Sequence, residues 1–176
     1  MSTLIKNIVR FILFIGFQVF ILNQIPPLHQ FIIPYLYFLY IIWLPFNLGR
    51  FPILVIAFLF GLSLDYFTGT MGLHAGACVL VAYVKPFLLN LLIPQETTEQ
   101  SYVEPSISSM GWAPYSLYVA LLTFIHHFYL VLLEWLQFGD FVYFIGKVSA
   151  TTGISLLLIF VTEMLFSRNA KFKTNQ

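Results

Sequence analysis

The chain has 176 residues, of which 60% are hydrophobic and only 9% are charged. Because a soluble domain carries about a quarter charged residues, this composition excludes a soluble protein and predicts an integral membrane protein. Eight basic against seven acidic residues give a net charge of +1, which argues against a nucleic-acid partner or an acidic substrate. The single cysteine, Cys78, excludes an intrachain disulfide and a CxxC metal or redox site.

The first two apolar runs predict two membrane spans. Residues 4–22 resemble a signal peptide, but no small-x-small cleavage pattern follows them, so we expect a retained helix. Residues 31–46, which include Pro34 and Pro45, form a short second run that covers about 24 Å, against about 30 Å of hydrocarbon. Its aromatic residues predict anchors at the two membrane interfaces. They are Tyr35, Tyr37, Tyr40 and Trp43.

Four further apolar runs predict spans at residues 51–67, 72–93, 113–136 and 142–166. Residues 1–176 are therefore predicted to form one membrane domain of the all-α class, a bundle of six transmembrane helices. Between spans four and five, segment 94–112 contains three glutamates and no basic residue, which is typical of a solvent-facing loop. Residues 167–176 form a polar tail.

Basic residues predict the orientation of the chain. With six spans both termini lie on one side of the membrane, and seven of the eight basic residues lie on that side. They are Lys6, Arg10, Arg50, Lys85, Arg168, Lys171 and Lys173, whereas Lys147 is the exception. A five-span alternative omits residues 31–46, but it separates Arg50 from the C-terminal bases. By the positive-inside rule we expect cytoplasmic termini, with loop 94–112 and tail 167–176 also in the cytoplasm.

One acid lies in the last turn of the third predicted span. Asp65 faces the negative end of the helix macrodipole there, so helix propensity does not explain it. One interpretation is that its carboxylate accepts hydrogen bonds from the free N–H groups at the start of span four. The other is that it contacts a partner protein or a solute, and the two interpretations are compatible.

Depth along the predicted helices sorts the other charged residues into two tiers. The outer tier consists of Asp65, His74, Glu134 and Lys147. Nearer the cytoplasm, Lys85 and Glu163 lie at similar depths and are predicted to pair, because charges buried in a membrane need partners.

Two adjacent histidines lie near the middle of span five. His127 shares a helix face with Glu134, seven residues later. Adjacent histidines diverge by about 100° and no third ligand is evident, so His126 and His127 do not predict a metal site. A proton relay is one alternative, and polar packing inside the bundle is the interpretation that we favour.

Small residues recur around the turn between spans three and four. Gly61, Gly69, Gly72 and Gly76 form, with Ala57, small-xxx-small ladders that permit close contact between helices. We favour internal packing over an intermolecular face. The sequence contains no P-loop, HExxH, GxSxG or dinucleotide-binding motif. We therefore predict no enzyme, no catalytic residue, no cofactor and no metal.

The stretch GLSLDYFTGTMGLHAGACVLVAYVKP resembles the central signature of MreD, the rod shape-determining membrane protein family of bacteria. The matching positions are Gly61, Leu62, Asp65, Gly69, Gly72, Tyr83, Lys85 and Pro86. The later segments PSISSMGW and FIHHFYLVLLEW, and the closing span with Glu163, look like the variant of this family found in the Bacteroidetes lineage. The likeness covers nearly the whole chain.

The resemblance implies a non-enzymatic subunit of the elongation (rod) complex, which scaffolds lateral peptidoglycan synthesis and maintains cell shape. The implied partners are a bitopic MreC-like protein, an MreB-like filament, and a RodA-like glycosyltransferase with its transpeptidase, in the bacterial inner membrane. The implied fold is similar to the substrate-binding S-components of energy-coupling-factor transporters. Candidate partner-contact or fold-defining residues are Gly61, Asp65, Gly69, Gly72, His74, Gly76, Lys85 and Pro86.

Two other functions remain open. The first is a solute-binding subunit of an energy-coupling-factor type transporter, in which the outer polar tier lines a ligand cavity. The second is a small membrane enzyme that acts on lipid-linked precursors.

Overall fold

The computed structural model describes residues 3–26, 33–93, 102–138 and 140–166. They contain seven α-helices and a short 3-10 helix, Leu22–Gln24, and no β-strand is present among them. The α-helices are α1 (Thr3–Phe20), α2 (Leu39–Ile42), α3 (Arg50–Thr68), α4 (Leu73–Leu92), α5 (Ile107–Met110), α6 (Trp112–Phe138) and α7 (Phe141–Leu165). Five of these (α1, α3, α4, α6 and α7) are long and apolar enough to cross a membrane. The chain is thus an all-helical, multi-pass membrane protein, as its composition predicts.

The long helices alternate in direction from α3 onward. α1 and α3 are parallel, because Phe11 packs on Phe60 and Phe20 packs on Phe67. The pairs α3–α4, α4–α6 and α6–α7 are antiparallel. The first described helix therefore begins at the end of the bundle where the last one finishes, which we call the terminal end. The opposite end, where α3 turns into α4, is the hairpin end.

The outside of the bundle is apolar, whereas polar groups point inward. On α1, Ile8, Ile12 and Phe20 are exposed, but Gln18 is buried. Gln18 donates to the Pro34 carbonyl and accepts from the Leu36 N–H. This arrangement suits a helix whose outer face meets lipid, since lipid satisfies apolar side chains and not amides.

The prediction of a helical second span at residues 31–46 is wrong for the described part, residues 33–46. These residues contain only α2, a single helical turn. Pro34 and Pro45 have no N–H group and disfavour helix in the residues before them. Side chains from distant helices satisfy backbone groups here instead. We call residues 33–49 the inserted segment.

The inserted segment nevertheless runs back along α1. Its residue Tyr40 packs on Phe11, and Trp43 lies under the Arg10 guanidinium, 5.2 Å from the ring centre. Because α1 and α3 are parallel, the chain has to return to the terminal end between them, and this segment makes that return. Residues 36–44 are each at most 6% exposed, so they form the core of the bundle. Tyr37, Tyr40 and Trp43 thus face the protein core, and their predicted placement at the membrane interfaces stays a prediction.

The described part of loop 94–112 is anchored to the terminal end. Glu104 accepts hydrogen bonds of 2.9 Å from both Lys6 and Arg10, and the Phe46 N–H donates to the Val103 carbonyl. Ser106 then caps α5. Burial raises the pKa of the Glu104 carboxyl, but the two basic side chains outweigh it and hold the pKa below its usual value. Residues 94–101 and the predicted tail 167–176 lie outside the described residues.

Candidate functional site at the α3–α4 hairpin

The turn between α3 and α4 is built on two glycines. Gly69 and Gly72 have φ angles of 70° and 82°. Side chains with a Cβ rarely adopt this left-handed region, so both positions favour glycine for conformational reasons. Gly69 terminates α3 and Gly72 precedes α4, which reverses the chain within a few residues.

Asp65 binds the start of α4. Its Oδ1 atom accepts from the His74 N–H and its Oδ2 atom from the Ala75 N–H, each at 2.9 Å. These N–H groups have no carbonyl partner within their own helix, and a carboxylate satisfies both while meeting the positive end of the helix dipole. Asp65 is 3% exposed, so its carboxylate faces the protein and makes the predicted backbone contact, whereas contact with a partner stays a prediction.

Thr70 and His74 complete a polar cluster around Asp65. The His74 Nδ1 atom lies 2.9 Å from both Asp65 Oδ1 and Thr70 Oγ1. A carboxylate only accepts hydrogen bonds, so the network assigns the proton to Nδ1. In a nucleophile–histidine–acid relay the hydroxyl and the acid contact different ring nitrogens. Here both contact Nδ1, so these three side chains do not have the geometry of that relay.

Two further glycines, Gly61 and Gly76, permit close packing between helices. A Cβ at Gly61 would lie 2.5 Å from the Ala75 Cα atom, and one at Gly76 would lie 2.9 Å from the Tyr129 hydroxyl oxygen. Gly61 thus brings α3 against the backbone of α4, and Gly76 brings α4 against α6. Both contacts are internal to the bundle.

Lys85 joins the hairpin to the inserted segment. Its ammonium group donates to the carbonyls of Ile41, Ile42 and Leu44 at 3.0, 3.3 and 2.6 Å. A cation at the C-terminal end of a helical turn satisfies free carbonyls and the negative end of their dipoles. Pro86 follows inside α4 and leaves the backbone of that turn without one N–H donor.

Glu163 contacts the same stretch from α7. Its carboxylate accepts hydrogen bonds from the Trp43 Nε1 atom, at 2.6 Å, and from the Tyr115 hydroxyl. Lys85 and Glu163 therefore both contact the inserted segment, one through its backbone and the other through an indole. Their direct pairing stays a prediction.

The outer tier forms two pairs at the hairpin end. Lys147 on α7 bonds to Glu134 on α6, and His74 bonds to Asp65. The first pair links the last two helices and the second links α3 to α4.

The two adjacent histidines of α6 face the core. His127 donates from Nδ1 to the Thr123 carbonyl at 2.7 Å, and its Nε2 atom lies 3.2 Å from the Ser155 hydroxyl. His126 lies 2.7 Å from the Tyr37 hydroxyl through Nε2 and stacks on Phe38, with ring centres 4.2 Å apart. Each imidazole thus has a specific partner in the core.

The tyrosines of the inserted segment were missed as partners of the histidines. The Tyr35 ring contacts His74, His126 and His127, and Tyr37 hydrogen-bonds His126. The sequence feature that could have indicated these contacts is the tyrosine-rich run itself, because its prolines and many aromatic residues are unusual for a membrane-spanning helix. Within the described part of the chain, no group of three or more His, Cys, Asp or Glu residues is placed to hold a metal ion.

Comparison of the chain with protein-family models, with curated proteins and with solved structures finds no match in any of the three.

Proposed function

We propose that this chain is a non-enzymatic scaffold subunit of a bacterial elongation complex, an MreD-like protein of the inner membrane that contacts a bitopic MreC-like partner. One observation carries the proposal: the residues of the MreD-like signature act together in one structure. Gly61, Asp65, Gly69 and Gly72 build the hairpin, and Lys85 fastens it to the core.

The contacts of the buried charged residues support a scaffold role. Asp65, Lys85 and Glu163 are all buried, and each bonds to backbone groups or side chains of this chain. A group that holds the fold in this way is unsuited to proton transfer or nucleophilic attack, because chemistry would release its structural partner. The proposal therefore assigns contact, not catalysis, to this protein.

The proposed partner surface is the exterior of the hairpin, since the signature side chains Asp65 and Lys85 face inward. Tyr66 and Met71 are 84% and 100% exposed at the hairpin end. Tyr83 and Phe87 are exposed further along α4 and lie next to each other. Exposed aromatic residues and methionine on a rigid hairpin suit a helix-to-helix contact with a bitopic protein.

Six membrane passes with cytoplasmic termini are part of this proposal. The five long helices supply five passes and the inserted segment supplies the return between α1 and α3. Non-helical backbone is tolerated at membrane depth where protein surrounds it, which is the situation of residues 36–44. The likeness to energy-coupling-factor S-components belongs to the same proposal.

The test is affinity purification from the native membrane in a mild detergent, followed by mass spectrometry of the retained proteins. We expect an MreC-like protein together with wall-synthesis enzymes. Recovery of paired ATPases with a coupling subunit would instead identify a transporter component and contradict the scaffold role.

A pair of double variants tests the proposed surface. Alanine at Tyr66 and Met71 is expected to reduce recovery of the MreC-like protein, whereas alanine at Ile12 and Leu13 on the exposed face of α1 is the matched control. Equal recovery with both double variants would place the partner elsewhere.

A further inference from the structure

A cavity of about 490 Å³ opens at the hairpin end, between the α3–α4 turn and the last turns of α6. It is lined by Thr70, Met71, Gly72, Leu73, Leu133 and Glu134. Its volume lies in the range of small-molecule sites, which are about 300–1,000 Å³. None of the hydrogen bonds and packing contacts of the hairpin fills this cavity.

The cavity has apolar walls and one charged group. Leu73 and Leu133 supply the apolar walls, Met71 is fully exposed beside them, and Glu134 is the charged lining residue. Lys147 binds the Oε2 atom of Glu134, whereas Oε1 has no hydrogen-bond partner among the described residues. The Thr70 hydroxyl already bonds Asp65, Thr68 and His74, so it has little capacity left for a ligand. Oε1 of Glu134 is therefore the side-chain acceptor that is free to bind a ligand.

The charge around the cavity favours a cation. Of the described residues that line it, Glu134 is the one that carries a charge, and Lys147 bonds its Oε2 atom and not its Oε1 atom. A carboxylate oxygen in partly buried surroundings attracts a cation more strongly than it does in water.

We propose that this cavity binds a small organic cation with a protonated amine and a branched apolar body. The amine donates to Oε1 of Glu134, and the apolar body packs against Leu73 and Leu133. The proposal does not depend on the scaffold function, because it rests on the cavity and its lining alone.

Three probes of similar shape test the proposal on the purified full chain in detergent. They are 3-methylbutylamine, which is protonated at pH 7 as a lysine side chain is, the neutral 3-methylbutan-1-ol, and the anionic 4-methylpentanoate. Thermal unfolding is followed by tryptophan fluorescence. We expect a saturable rise of the unfolding midpoint with the amine alone, since a ligand stabilises the state that it binds. An equal rise with the alcohol would overturn the proposal.

Two variants locate the effect. Glu134→Gln is expected to raise the half-saturating amine concentration at least about tenfold, because a charge-assisted hydrogen bond is lost. Asp140→Ser removes a carboxylate at the same end and keeps a capping oxygen, so it is the matched control. If Glu134→Gln does not fold, Leu133→Trp fills the cavity with the carboxylate intact and is expected to abolish the response. A full response in either cavity variant would overturn the proposal.

Discussion

The Asp65 carboxylate at the end of α3 accepts a hydrogen bond of 2.9 Å from the backbone N–H of Ala75, in the first turn of α4. Gly72 precedes α4 and has no side chain with which to cap it. Asp65 performs this capping from the neighbouring helix. The positive end of α4 thereby compensates an acid at the negative end of α3. One side chain thus ties the end of α3 to the first turn of α4.

Replacing Asp65 tests this capping role. Asp65→Asn places an amide NH₂ against a backbone N–H donor in either side-chain orientation. We expect it to lower the free energy of unfolding by about 1–3 kcal/mol. Asp65→Ala is expected to cost more, because both backbone N–H groups lose their acceptor. The measurement is denaturant unfolding in detergent, with Asp140→Asn as the exposed control. An Asp65→Asn protein that is as stable as the unmodified chain would refute the capping role.

Gly61→Ala tests the close approach of α3 and α4. The added methyl group would overlap the Ala75 backbone, which cannot rotate away as a side chain can. We expect a destabilisation of about 1–3 kcal/mol, as for other overpacked sites. Gly153→Ala on α7 is the matched control, since its Cβ would meet nothing within 4 Å and alanine favours helix. Similar thermal midpoints for the two variants would show that the helices separate easily.

Lys85→Met tests the attachment of the inserted segment. It removes the donor from the carbonyls of Ile41, Ile42 and Leu44. We expect faster amide hydrogen exchange across residues 36–44 and a loss of about 1–3 kcal/mol in stability. Arg50→Met removes an exposed base near the same end and is expected to leave that exchange unchanged. Unchanged exchange in Lys85→Met would mean that side-chain packing alone holds the segment.

The lowered pKa of Glu104 predicts that its contact with Lys6 and Arg10 at the terminal end is sensitive to acid. The pKa of its carboxyl is lower in the folded protein than the usual 4.5, so the unfolded chain binds more protons at acid pH. Its stabilisation is therefore present above pH 4.5 and is lost as pH falls through the folded pKa. Unfolding measured from pH 7 to pH 3 is expected to show this loss. Glu104→Gln should flatten the profile, and an identical profile in that variant would contradict the assignment.

The long helices were predictable from the sequence because their signal is local. Apolar runs bounded by glycine, proline or polar residues place α3, α4, α6 and α7 within two residues of their observed limits. The contact of Asp65 with the start of α4 was one of two open interpretations, since its partners lie only nine and ten residues away.

The inserted segment was not predictable in the same way. Its backbone partners include Gln18 and Lys85, which lie before and well after it in the chain, and no local pattern indicates such contacts. A run of sixteen apolar residues reads as a helix unless distant side chains are known to replace the helical hydrogen bonds. For the same reason the contacts of Tyr35 and Tyr37 with three histidines emerge only from the tertiary structure.

The inserted segment also constrains the order in which the protein can assemble. Trp43 leaves the ribosome 120 residues before Glu163, the acceptor of its indole N–H. Non-helical backbone has unpaired N–H and C=O groups, which are unstable in lipid. The segment therefore has to stay in polar or protein-lined surroundings until its partners have been synthesised. The helices of this chain therefore cannot each reach their final arrangement one at a time, as they leave the ribosome. The inserted segment reaches its final position only after α7, which carries Glu163, has been synthesised and encloses it.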